Sequence, residues 1–566
     1  MKKMVVVTAL VCSSLTGLNT AVADPPDGVK PISTQTLAPP TVSVDEPVRG
    51  PAADGPRSAP RGGAPGSARQ GGPASAQLFD DQVLSDASRL PETPPAQAAR
   101  TAALAPVIGT SFVGTTQLTS TAAGWGYPPD TSLAAGGTHV IQVVNRRIRM
   151  TSSTGGSGIT RTLDAFFKES TTTNTMFDPK VFYDRNATNR RFYVIALDGG
   201  STAGSRLHLA VSRSTDPTAL TSSSWCRYSF DARVPVAGRA TTWADYPSIG
   251  TGPNGLLITT NQFSDAGAFQ YNAIWAFNKT LVNANATGCP SIRRYNWAAS
   301  SSTADSSAFT VQPVQHYTNP SSFTGVSSPN YLVSSYSGTG TLYRVWRVYN
   351  LASGSPLLQV ANLYGSYTYS TPPLSPGGRN PDTGAATKID SGDTRVLQAA
   401  AIGNRLYATH STACQFTAGT ALEACARYVA IDVGATTSGG IAAAIRQQTT
   451  NGGGNGYFYH HPSVAVNNAG AVASSFNVNS VSGYSSSAYA TKSYTENDFP
   501  AEYYLAQGNC FASATYQAKR GYNRSGDYNG AQTSQDGTTF WLAAERSVAI
   551  TGVGCGWQTQ VARVTP

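Results

Sequence analysis

Apolar and polar positions alternate in short runs along most of the chain. From Val107 onward the runs are rich in Val, Ile, Thr, Tyr and Phe and are bounded by clusters of Gly, Pro, Asn and Asp. That pattern belongs to strands joined by tight turns. It predicts strands at 140–144, 147–151, 192–197, 207–212, 273–277, 342–349, 428–433 and 557–564. No sustained helical period occurs beyond the N-terminus, and a short helix is expected only near 80–90.

The strands fall into a repeat. Its best copy is His460-His461-Pro462-Ser463-Val464-Ala465-Val466, followed by a Gly/Asn turn and a second strand. Related starts are Pro129-Asp130-Thr131, Asp178-Pro179-Lys180, Asp245-Tyr246-Pro247, Asp393-Thr394-Arg395 and Gly526-Asp527-Tyr528, with a poor copy between His316 and Tyr336. The starts lie near 130, 178, 245, 316, 395, 461 and 527, a step of roughly 50 to 80 residues that marks a repeat architecture. About four strands fit each repeat, the unit of a propeller blade. The expected fold is therefore all-β, a seven-bladed β-propeller over 105–566, with six or eight blades as variants. Two β-sandwich domains would suit the composition equally but would not account for the repeated starts. A ring must close, and residues 558–564 are the natural partner of the first ordered strand near 107–113.

Composition refines this reading. Charged residues make up 13% of the chain, against 55 Gly, 34 Pro and 27 Tyr; turns and short strands use such a mixture, helices do not. Residues 1–23 carry a basic start, an apolar run and Ala21-Val22-Ala23, the features of a secretory signal cleaved after Ala23. They are too interrupted for a membrane anchor, so the protein is expected to be secreted, extracellular or periplasmic. Residues 24–104, dominated by Pro, Ala and Gly, cannot bury enough apolar surface to order themselves and read as a disordered linker or propeptide. Loss of the signal removes Lys2, Lys3 and Cys12, so the formal charge falls from +9 to +7. The remaining basic excess contains no Lys/Arg run, which argues against a nucleic-acid partner. Six cysteines remain of the original 7. Pairing of sequence neighbours, Cys226 with Cys289, Cys414 with Cys425 and Cys510 with Cys555, is the simplest framework for an oxidising compartment.

In a propeller the innermost strands line the central channel, so equivalent strand starts converge at one mouth. Asp130, Asp178, Asp245, Tyr246, Arg395, His460, His461, Arg524, Asp527 and Tyr528 would then form one site. Carboxylates crowded there must share protons, pair with Arg395 or Arg524, or bind a cation. Shared protons beside an ionised partner suit acid/base hydrolysis of a glycosidic bond, with Asp178, Asp245 and Asp527 as the candidate catalytic groups. Held by the same oxygens, Ca2+ would instead be structural. An Asp at a strand start also commonly caps its own turn. The adjacent imidazoles of His460 and His461 are expected to point opposite ways, as neighbours on a strand do. No nucleophile elbow, His-Glu-x-x-His, phosphate loop or EF-hand loop is present.

Pro128-Pro129-Asp130-Thr131, Asp178-Pro179-Lys180-Val181-Phe182-Tyr183, Asp245-Tyr246-Pro247 and Gly526-Asp527-Tyr528 resemble the starts found in secreted bacterial propellers of the sialidase-like, BNR-repeat kind. Ser534-Gln535-Asp536-Gly537-Thr538-Thr539-Phe540-Trp541 resembles that family's Asp-box, with its Gly one place early. The resemblance implies a propeller with its ligand site at the channel mouth. It does not imply sialidase activity, because only Arg395 and Arg524 are candidates for the arginine triad and the Tyr/Glu pair is not recognisable. The expectation is an exported, monomeric propeller, not embedded in a membrane, that recognises a carbohydrate or similar surface polymer and hydrolyses it through paired carboxylates. The alternative is a non-catalytic adhesion or scaffolding propeller with a structural cation.

Overall fold

The computed structural model describes residues 105–117, 128–167 and 176–566 apart from short internal segments, the longest being 300–307 and 512–521. Nearer the N-terminus it describes residue 30 and two short strands, Val22–Ala23 and Ser33–Leu37. All of the expected signal segment but Val22–Ala23, which pairs with Leu357–Tyr369, the helix near 80–90 and most of the expected linker lie outside the described residues.

The chain folds into antiparallel sheets of about four strands, each built as an up-and-down meander. Ser132–Gly136, His139–Val144, Arg147–Ser152 and Ile159–Thr162 make the first. Phe177–Asp184 through Trp225–Asp231 make the second, and Trp243–Thr251 through Ile292–Ala298 the third. The same order recurs from Gln312–His316 to Leu357–Tyr369 and from Gln398–Ile402 to Ile441–Asn451.

The leading strands touch in a closed cycle. Ser132–Gly136 lies against Phe177–Asp184, which lies against Trp243–Thr251, then Gln312–His316, Gln398–Ile402, Ala465–Val466 and Gly530–Thr533, which returns to Ser132–Gly136. Between the fourth and fifth of these, approach is close enough for parallel pairing, Val314 opposite Ala399. This is a propeller-like fold, with leading strands on the axis and the core between sheets. The leading strands are buried almost throughout because they meet a neighbour on either side; most therefore carry apolar and small residues rather than strict alternation, Gln312–His316 being a polar one.

Ring closure follows the expectation. Val107–Thr116 pairs with Gly554–Thr565, Phe112 opposite Val561, so both ends of the ordered domain share one sheet. The expected cysteine pairs are all bridged, Cys226–Cys289, Cys414–Cys425 and Cys510–Cys555, as befits an oxidising compartment. Among the described residues no helix is long and apolar enough to cross a membrane.

Two details depart from the sequence reading. Ser33–Leu37, inside the segment expected to lack structure, adds a fifth strand to the outer edge of Ile292–Ala298; an open edge supplies backbone partners that a composition argument does not consider. In the poor fourth repeat the leading strand is Gln312–His316. His316 therefore ends that strand instead of opening it.

Candidate functional site

The strand starts converge, and a backbone device repeats at their entry. Asp130, Asp178, Tyr246, Thr310 and His461 all have left-handed backbone, with φ of 48°, 48°, 53°, 57° and 52°. Non-glycine residues adopt that conformation only when surrounding contacts over-determine it. Thr310 is the equivalent position of the fourth repeat, invisible in sequence because it is neither acidic nor followed by proline.

The side chains at these kinks reach to neighbouring sheets rather than capping their own turns. Asp130 Oδ1 accepts from the Asp527 amide at 2.7 Å, and Asp178 Oδ2 from the Tyr246 amide at 3.3 Å. Tyr528 Oη donates to the Pro179 carbonyl at 3.1 Å, Tyr246 Oη to that of Asp527 at 3.4 Å, and Asn529 Nδ2 to that of His461 at 2.9 Å. Asp393 keeps the expected local role, accepting from the Arg395 amide at 2.9 Å. The mouth is thus laced across the axis by bonds between sheets far apart in sequence.

Its basic side chains are all engaged. Arg395 pairs with Asp393 through Nε and Nη2 at 2.8 and 2.6 Å, and its guanidinium lies between the rings of Tyr246 and Phe309, 4.6 and 4.5 Å from their centroids. Arg524 pairs with Asp527, and Lys180 stands over the Tyr528 ring. Tyr246 and Tyr528 meet edge to face at 5.8 Å and, with Leu397, form a buried apolar knot.

Burial dominates the protonation states. It pushes the Asp245 carboxyl well above the usual carboxylate range, helped by the neighbouring Asp178 charge and by a hydrogen bond with that residue. Asp178 and Asp130 are also raised, by burial first and then by Asp527. Burial would raise Asp527 too, but Arg524 outweighs it and holds the carboxylate low. Burial and their mutual interaction thus leave both carboxyls raised, Asp245 well above the usual range. Burial drives the Lys180 amine well below its ordinary range.

Of the residues singled out in sequence, Asp130, Asp178, Asp245, Tyr246, Arg395, Arg524, Asp527 and Tyr528 enter this network. His460 and His461 join it at one side, but not with rings pointing apart. The left-handed turn at His461 breaks the strand alternation, so the rings meet edge to face at 4.8 Å with their Nδ1 atoms 2.9 Å apart. His460 Nε2 faces Asn479 Oδ1 at 2.7 Å. Burial pushes His460 down to about 3 and His461 to about 4, so both are neutral.

Lys180 and Glu545 were not singled out. Lys180 directly follows Asp178-Pro179 and was legible there as a channel residue. Glu545 lies inside Phe540–Ile550 with no motif around it, and its buried carboxyl nestles against Gly526, where a Cβ would fall 2.5 Å from Oε1.

Below the knot, Lys180, Gln312, Gln315, Gln398 and Asn529 line a cavity of about 20 Å³ on the axis, the scale of a single water. Among the described residues no group of three or more His, Cys, Asp or Glu is arranged to hold a metal. The Asp-box-like segment makes the turn into Phe540–Ile550, at the other end of Gly530–Thr533 from the mouth. There Asp536 Oδ1 accepts from the Thr538 amide at 2.9 Å and Ser534 N donates to the Thr539 carbonyl at 2.9 Å.

The mouth end also carries exposed rings. Tyr336 follows Asn330–Ser335, and its carbonyl accepts from Thr394 Oγ1 at 3.0 Å, next to Arg395. Tyr367 lies near the end of Leu357–Tyr369, over Arg427. Phe416 follows Arg405–Cys414 and packs against Gly452 and Gly454, just before Tyr457–His460. Tyr484 sits in the turn between Val472–Ser480 and Ser486–Lys492, against Gly378. Their exposure runs from 37% at Tyr484 to 60% at Tyr367.

The chain matches no protein-family model and no curated protein.

Proposed function

We propose that this chain is an exported seven-bladed propeller that binds a carbohydrate or similar surface polymer on the end of the ring where the strand starts gather. In this reading the ligand lies on the rim of exposed aromatic side chains, Tyr336, Tyr367, Phe416 and Tyr484, and the carboxylates beneath it close the ring without acting on the ligand. The observation that carries it is the contrast at one end of the molecule between a sealed polar centre and an exposed aromatic margin. Flat rings with polar edges stack on sugar faces, and they do so with little side-chain entropy to lose. The resemblance to sialidase-like propellers supports the choice of end and contributes no reaction.

Two features favour binding over hydrolysis. Asp130 and Asp245 are buried, beneath residues that bond across the axis. The Asp178 and Asp245 carboxyls interact directly, each shifting the other's titration, whereas glycosidases separate their carboxyl groups by about 5 to 9.5 Å to admit the bond they cleave.

The test is a panel of cell-surface and extracellular polysaccharides presented to the exported protein, with released reducing ends measured alongside binding. Binding without product is expected. Tyr367→Ala with Phe416→Ala should weaken it about tenfold or more, since ring–sugar stacking contributes on the order of 1 kcal/mol or more per ring. Failure to bind any polymer, or binding indifferent to the rim substitutions, would reject the proposal. Release of sugar would reject its non-catalytic part.

A further inference from the structure

The aromatic margin holds a buried cation beside its exposed rings. Arg427 lies in Glu423–Ala435, the third strand of the fifth sheet. Strand alternation puts Cys425, Arg427 and Val429 on one face. That face is turned toward the outer strand of the fourth sheet, Leu357–Tyr369. Gln448, opposite Val429, reaches across to it and accepts from the Ser366 and Tyr367 amides at 2.8 and 3.4 Å. Those bonds hold Tyr367 with its ring centroid 5.9 Å from the Arg427 guanidinium. Toward the strand's start, Cys425 packs against Gly452, where a Cβ would fall 2.4 Å from its Sγ and 2.7 Å from Phe416 Cζ. Phe416 therefore borders the same face, two residues along the strand from Arg427.

This cation has no anion. Arg427 is only 6% exposed. Its Nε makes no hydrogen bond, and Nη2 reaches the Thr368 carbonyl at 3.5 Å. Among the described residues no carboxylate bears on it, only the tyrosines Tyr343 and Tyr367. By contrast, Arg233, Arg395, Arg405, Arg524 and Arg563 each pair with an aspartate. A guanidinium does not shed its charge in a protein. Buried and unpaired, it carries a desolvation cost that a bound anionic group offsets, and its planar fork matches two oxygens of a carboxylate or sulfate at once.

We propose, resting on the margin as the ligand-binding surface, that the polymer bound there is anionic and that Arg427 takes its carboxylate or sulfate groups, while Tyr367 and Phe416 stack on its sugar rings. The basic excess of the chain, +9 with the signal and +7 without it, draws such a polymer in at long range but selects no site on the surface. The single guanidinium beneath Tyr367 does. Arg427 stands in mid-strand with no motif around it, and only the fourth sheet brings the tyrosine over it.

Equilibrium binding of the exported protein to two matched pairs tests this: polygalacturonate against its methyl ester, and dextran sulfate against dextran. Within each pair the backbone is shared and the charge differs. The charged member of at least one pair is expected to bind about tenfold or more tightly than its neutral partner; the first pair reports a carboxylate ligand, the second a sulfate. Arg427→Gln should abolish that preference, and Arg427→Lys, which keeps the charge without the fork, should retain only part of it. Melting temperature shows whether each variant is folded. Equal affinity within both pairs would overturn the proposal, and so would binding by neutral polysaccharides of the wider panel alone. A preference undiminished in both variants would also overturn it, by assigning the effect to the overall charge of the protein. In each of those cases the margin still binds polymer; absence of binding to every polymer, charged or neutral, would reject the margin reading as well.

Discussion

At the scale of single residues, burial sets how the carboxyl groups of the mouth titrate. Asp245 and Asp178 come from neighbouring sheets, are both raised by burial, and sit where a second charge would be costly. The folded-state pKa of Asp245 lies above its unfolded value, so the stability it contributes is complete below the unfolded pKa near 3.8 and is lost as pH rises through the folded pKa. Asp130 and Asp178 act in the same direction. Asn at position 245 keeps a donor for Asp178 but has no proton to lose. Asp245→Asn is therefore expected to match the wild type within about 1 kcal/mol near pH 4 and to exceed it at pH 8, with a flatter dependence of melting temperature on pH. Parallel curves for the two proteins would show that Asp245 is not held protonated. The acidic residues of this set were legible in sequence because they recur at strand starts. Their mutual bonding was not, because Asp178 and the Tyr246 amide lie far apart in the chain and only the ring brings them together.

At the scale of elements, local pattern carried strand identity well and strand role less well. The predicted 342–349 and 557–564 are the cores of Gly340–Tyr349 and Gly554–Thr565, since Val, Tyr and Trp alternate there with polar residues. Gln312–His316 was missed as a leading strand because its Pro313 and glutamines give no apolar signal, and Thr310 supplies the kink without the usual Asp or His. Cys414–Cys425 closes a hairpin of paired strands, whereas the other two disulfides join elements that sheet bonding leaves separate. Cys226–Cys289 ties the last strand of one sheet to the loop before the last strand of the next, across 63 residues. Replacing both cysteines by Ala is expected to cost about 2 to 5 kcal/mol, measured by denaturant unfolding. A loss below about 0.5 kcal/mol would mean that the sheet interface holds the two strands unaided.

At the scale of the whole molecule, closure is the organising event. Val107–Thr116 and Gly554–Thr565 join the ends. Closure gathers the kinked strand starts, and that convergence leaves a centre filled by Tyr246, Tyr528 and Leu397 with an aromatic margin around it. Sequence showed the ring through its repeat; it did not show that Tyr246, Leu397 and Tyr528 would pack together at the mouth, since they lie far apart in the chain. The central claim is that ligand recognition belongs to the margin and ring closure to the centre. Calorimetric titration of one bound polysaccharide into wild type, the Tyr367→Ala/Phe416→Ala variant and Asp245→Asn tests it most directly. The margin variant should lose about tenfold or more in affinity, and Asp245→Asn should bind as the wild type does. The opposite outcome, affinity lost in Asp245→Asn and retained in the margin variant, would contradict the account.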